Sequence, residues 1–72
     1  MVFKSLVKKG IYQDSVTLMQ ISKFIEALPG ILKASVMMGT PHNKNVLLDA
    51  GLFDDNVSGA QTSDMIVSIL AD

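Results

Sequence analysis

Ala34-Ser35-Val36-Met37-Met38-Gly39-Thr40-Pro41 is the stretch whose reading decides the fold. It closes an extended run, Ile31 to Met38, in which Leu32, Ala34, Val36 and Met38 share one face by period two. Lys33, Ser35 and Met37 share the other. A glycine ends the run. Thr40 then offers a helix cap, and Pro41 takes the first helical position, where its missing N–H is harmless. The same order of signals occurs once before: Val2 to Lys9 read as a strand, Gly10 follows, and a helix opens near Asp14-Ser15. Both junctions aim backbone N–H groups past a strand end, a geometry that can hold an anion.

Working outward, Leu18, Ile21, Ile25 and Leu28 recur at spacings of three and four and define the first helix, with Phe24 widening its apolar stripe. Pro29-Gly30 stops it. The second helix runs from Pro41 to about Ala50, with Val46, Leu47 and Ala50 on one side and Gly51 as its stop. Leu52 to Ser63 carries polar and glycine signals and reads as a loop. Met65 to Leu70 reads as a third strand. The order is β-α-β-α-β in one small domain, residues 1–72. If the first two strands are parallel, the third can insert antiparallel between them. That is the split β-α-β unit of α+β, ferredoxin-like folds, here with the fourth strand missing. A parallel three-stranded sheet is the competing arrangement.

Composition narrows the function. Seventy-two residues form one domain with a thin core. The absence of cysteine excludes disulfides, thiolate metal sites and redox pairs. Net charge is −1 and there is no arginine, so no nucleic-acid footprint exists. No apolar run is long enough to span a bilayer. The N-terminus alternates polar and apolar residues and does not read as a signal peptide, so no membrane role and a cytoplasmic location are expected. A hydrophobic fraction of 49% beside 18% charge is high for so small a chain and implies apolar surface buried against a partner, with a homo-oligomer as one form. A sheet covered by two helices on one side would leave its other face open around Met37 and Ile66 or Val67. Phe3, Leu6, Met37 and Ile66 are therefore the interface candidates.

The candidate ligand site gathers at the two glycine junctions: Gly10, Gln13, Ser15, Gly39, Thr40, His42 and Asn43. No catalytic residue, metal site or cofactor is expected. His42 is a single imidazole without a second ligand nearby in sequence, and Ser15 and Thr17 lack the histidine and acid of a nucleophile relay. Asp54, Asn56, Ser58 and Gly59 match the first positions of a calcium loop, but the twelfth position is Met65 rather than glutamate.

Two segments, Lys8-Lys9-Gly10-Ile11-Tyr12-Gln13-Asp14-Ser15-Val16-Thr17-Leu18-Met19 and Ser35-Val36-Met37-Met38-Gly39-Thr40-Pro41-His42-Asn43-Lys44, together resemble the N-terminal segment of FdrA proteins. That family is acyl-CoA synthetase-like and similar in domain plan to succinyl-CoA synthetase. It is linked to ureide and oxamate breakdown, where a carbamoyltransferase role is implied. The resemblance runs from about Phe3 to Leu70. It implies a non-catalytic N-terminal module that docks on downstream domains, a separate partner or a second copy. Two alternatives are a small-anion or metabolite sensor and a fragment of a split ligase or carbamoyltransferase acting in trans.

Overall fold

The computed structural model describes residues 1–72 as β1 (Val2–Lys8), α1 (Ser15–Glu26), β2 (Ile31–Met38), α2 (Pro41–Asp49), α3 (Asp55–Ser58) and β3 (Met65–Ala71). The three strands form one sheet in the order β1-β3-β2. β3 is antiparallel to both neighbours, so β1 and β2 run parallel with β3 between them. This is the α+β, split β-α-β arrangement expected of a ferredoxin-like fold, without a fourth strand. The parallel alternative is excluded.

The caps follow the sequence. The Asp14 carboxylate accepts the Thr17 N–H at 2.7 Å and opens α1. The Thr40 hydroxyl accepts the Asn43 N–H at 3.2 Å and opens α2 with Pro41 behind it. Pro29 and Gly30 end α1, and Gly30 adopts a positive φ of 84° that only glycine takes without strain.

Alternation along the strands sorts the core into two clusters on opposite faces of the sheet. On one, Leu18 of α1 buries against Val36 and Met38, joined by Ile21, Ile25, Met65 and Val67. On the other, Leu47 of α2 meets Leu52, Val57, Ala60 and Ile66, with Phe3, Val7, Met37 and Leu70 packed around them. The helices therefore lie on both faces, α1 on one and α2 with α3 on the other. An open face around Met37 and Ile66 does not exist: Ile66 is fully buried, and Met37 and Phe3 pack against the cluster that contains it.

The physical reason lies in residues 52–63. They are not simply a loop. Asp54 accepts the Val57 N–H and starts one helical turn, Asp55–Ser58, that presses Val57 into the core. The same Asp54 carboxylate accepts the Ser5 hydroxyl at 2.8 Å, which ties the turn to β1. The Lys44 ammonium donates to the carbonyls of Ser58 and Ala60 and ties it to α2. The calcium-like pattern is thus a capped turn whose first carboxylate is already engaged.

Two apolar assignments also differ from the helical-face reading. Phe24 on α1 and Leu28 just beyond its end stay exposed, and Val46 is exposed on α2 beside the buried Leu47. What lies uncovered is the β1 side of the α1 face. Val2, Lys4, Leu6 and Lys8 point there, and Val2 and Leu6 are half exposed.

Candidate functional site

The two glycine junctions meet at one residue, Asp64, immediately before β3. The Gly10 N–H donates to one carboxylate oxygen at 2.9 Å and the Gln61 N–H to the other at 2.9 Å. The Gly39 N–H donates to the Asp64 main-chain carbonyl at 2.9 Å. Asp64 is almost wholly buried, while Lys9 beside it is exposed, with its ammonium 3.7 Å from the carboxylate. The Gln61 and Gly10 amides hold the Asp64 carboxyl below its ordinary value of 3.8, burial opposes them, and Lys9 adds to the lowering. The Asp14 carboxyl is also lowered, chiefly by the Thr17 backbone N–H.

A carboxyl lowered in the folded state stabilises the fold above the unfolded pKa and loses that contribution as pH falls through the folded value. Stability to urea should therefore be flat at neutral pH and fall from about pH 4 downward. Asp64→Asn should lower stability at pH 7 and flatten that acid limb. An acid limb identical to that of the unaltered chain would show that Asp64 does not govern it.

Beside this staple runs a groove of about 870 Å³ between α1, the outer edge of β2 and the start of α2. Fifteen residues line it, six of them hydrophobic and the rest uncharged and polar. Four of the seven expected ligand residues stand here: Gln13, Ser15, Thr40 and Asn43. Gly10, Gly39 and His42 do not. Gly10 and Gly39 serve the Asp64 staple, and His42 is exposed outside the groove. Gly39 is not there for its φ. A Cβ on it would run into the carbonyl oxygen of Gln61, so the residue permits a close backbone approach.

Several amides at these junctions are already paired. Asp64 takes those of Gly10 and Gln61, Asp14 takes that of Thr17, and Thr40 takes that of Asn43. Sequence reading missed Asp64 and Gln61, because one acid ahead of a strand forms no pattern. It also missed Met19 and Tyr12 as groove walls. The Asn43 side chain has a defined task, donating to the Met38 carbonyl at 2.9 Å.

With this geometry goes a match along the whole chain. Residues 1–72 match the family described as AllF, heavy metal-associated domain. The chain belongs to that family. The AllF-type domain is also similar to the uncharacterized protein YahF of Escherichia coli (strain K12), at 38% identity over 69 residues. That alignment covers 96% of this chain and 13% of YahF. No solved structure matches the AllF-type domain.

The family description raises the question of a metal. Soft heavy-metal ions are held mainly by thiolate and thioether sulfur, with imidazole as a second choice. This AllF-type domain has no cysteine and one histidine, and of its five methionines the adjacent Met37 and Met38 turn to opposite faces of the sheet rather than to a shared point. Nowhere do three His, Cys, Asp or Glu side chains converge. The Asp64 carboxylate is spent on backbone amides and a lysine. The residues present do not fit such an ion, and no chemistry is routed through one. No helix is long and apolar enough to cross a membrane.

Proposed function

We propose that this chain is a non-catalytic interaction module of a longer AllF- or FdrA-type protein, with the α1 side of β1 as its docking face. The observation that carries the reading is the uncovered half of that face. Leu6 and Val2 lie half exposed on the sheet. At about 3.6 residues per turn, Phe24 falls on the flank of α1 away from Met19 and Ser22. Met19 and Ser22 line the groove at the β2 edge, so Phe24 flanks the sheet toward β1, with Leu28 just past the end of the helix. Both are exposed. Together these side chains make an apolar step, sheet below and helix beside it, of the kind that another helix or domain covers. Lys4 and Lys8 on the same face would meet acidic groups at its rim.

A second domain in cis, a separate chain or a second copy would each bury this step, at roughly 800 Å² per partner for a specific interface. The small share of YahF that the match covers favours the remainder of such a protein. Cytoplasmic residence and a parent ligase or carbamoyltransferase activity belong to the same proposal.

The test is to mix the chain with the remaining portion of a full-length AllF-type protein and measure association by light scattering. Leu6→Glu should weaken association, while Val46→Glu, exposed on the other face, should leave it unchanged. Association indifferent to Leu6→Glu sinks the reading. A mass that doubles with concentration and reverts with Leu6→Glu would assign the face to self-assembly.

A further inference from the structure

We propose that the outer edge of β2 accepts an extended, uncharged peptide segment. The segment pairs with the backbone of Ala34 and Val36 and lays alternate side chains along the groove beside α1.

The register decides which backbone groups are free. In an antiparallel ladder, successive residues turn their N–H and C=O alternately toward and away from the partner. The Gly39 N–H donates to the Asp64 carbonyl, and the ladder continues through Met37↔Ile66 and Ser35↔Ser68. Gly39, Met37 and Ser35 therefore face β3. Met38, Val36 and Ala34 turn theirs to the outer side. The Met38 carbonyl is taken by the Asn43 side chain. The N–H and C=O of Val36 and Ala34 remain, and the groove runs past Val36 between Met19 of α1 and Asn43 of α2.

The other edge of the sheet is built differently. β1 turns Phe3, Ser5 and Val7 outward by the same rule. The Asn56 side chain donates to the Ser5 carbonyl at 3.3 Å, and the Asp54 carboxylate holds the Ser5 hydroxyl. Lys4 and Lys8 sit along that strand. Tethered turns and lysines are the usual guards of an edge strand. From Ala34 to Met38, β2 has no charge and no proline, and its one irregularity lies earlier, between Ile31 and Lys33. An unguarded edge beside a groove is where strand addition gives affinity through the main chain and selectivity through alternate side chains.

The lining fixes the charge of the occupant. None of the 15 groove residues is charged. A charged side chain buried there would lose water and gain no counter-ion. The surface is separate from the Leu6 face, so this proposal and the docking proposal fail independently.

The probe is a displayed library of random peptides roughly ten residues long, with recovered sequences resynthesised with blocked ends. The peptides recovered should be uncharged and should shift the Ala34, Val36 and Met38 amides of the labelled full chain. N-methylating alternate peptide residues should abolish binding in one register and spare it in the other. Ala34→Pro removes one outward N–H and should weaken binding more than about tenfold, because proline is tolerated on an edge strand but cannot donate. Ala34→Ser should bind as the original does. If Ala34→Pro fails to fold, Met19→Asp on the exposed wall of α1 should give the same loss. The proposal is overturned if no peptide binds more tightly than about 1 mM. Charged winners, insensitivity to N-methylation, shifts confined to the Leu6 face, or a second copy pairing along β2 would overturn it equally.

Discussion

Leu47→Ala is expected to remove enough stability to leave a large unfolded population in mild urea. Leu47 is 1% exposed and sits at the centre of the cluster under α2 and α3. Truncating a buried leucine costs about 2–5 kcal/mol, part from lost transfer and part from the cavity left behind. A chain of this length has a total stability of roughly 4–11 kcal/mol on a per-residue scale. It has no cysteine with which to restrain its unfolded state. The neighbours make internal controls. Val46 and Leu48 are 42% and 57% exposed, and alanine at either should change stability by no more than about 0.5 kcal/mol. Urea midpoints followed by circular dichroism decide the matter. Equal shifts for all three positions would mean that α2 does not bury Leu47 as described.

Gly39→Ala should be the most damaging of the glycine substitutions. The added Cβ would strike the Gln61 carbonyl oxygen and approach the Ala60 Cβ to 3.2 Å. Neither obstacle is the end of a flexible side chain, so the strand exit or the residues before β3 must move. Overpacking of this kind costs about 1–3 kcal/mol, and each kcal/mol lowers the melting temperature by about 4–8 °C in so small a domain. Gly59→Ala meets nothing closer than 3.7 Å and should be mild. Amide exchange gives the second readout: the Gly39 N–H, bonded to Asp64, should lose protection first. A melting temperature unchanged by Gly39→Ala would refute the close approach.

The three strands and the two long helices were legible in the sequence because each leaves a periodic trace. The order of the strands in the sheet was not: periodicity admits two arrangements, and the pairing decides between them. Period two marks Val36 against Met37, and spacings of three and four mark Leu18, Ile21 and Ile25. Capping chemistry placed Asp14 and Thr40 correctly. The helical turn Asp55–Ser58 was not legible, because a single turn is too short to show a period. Its contribution to the core comes from Leu52, Val57 and Ala60, scattered among polar residues. With that turn unseen, the sheet looked bare around Ile66, a face that the turn and α2 in fact cover. The site was half legible for a related reason. Gln13, Ser15, Thr40 and Asn43 converge because parallel strands bring both helix starts to one end of the sheet. The amides beside them are already claimed by Asp64, and only three-dimensional contact reveals that.

The central position of β3 also sets the order in which this chain can become a protein. β1 and β2 never touch as paired strands; each finds its ladder only on Met65–Ala71. On a ribosome, which adds about 5–20 residues per second, the first 64 residues must emerge with α1 free to form but with no sheet beneath it. Their apolar faces wait on the last strand. Folding then has to close loops that span much of residues 1–72, and sequence-distant pairing of this kind slows small domains. A stalled or truncated product ending before Met65 would present two unpaired strands at once, and would be a substrate for chaperones and proteases rather than a smaller version of the fold.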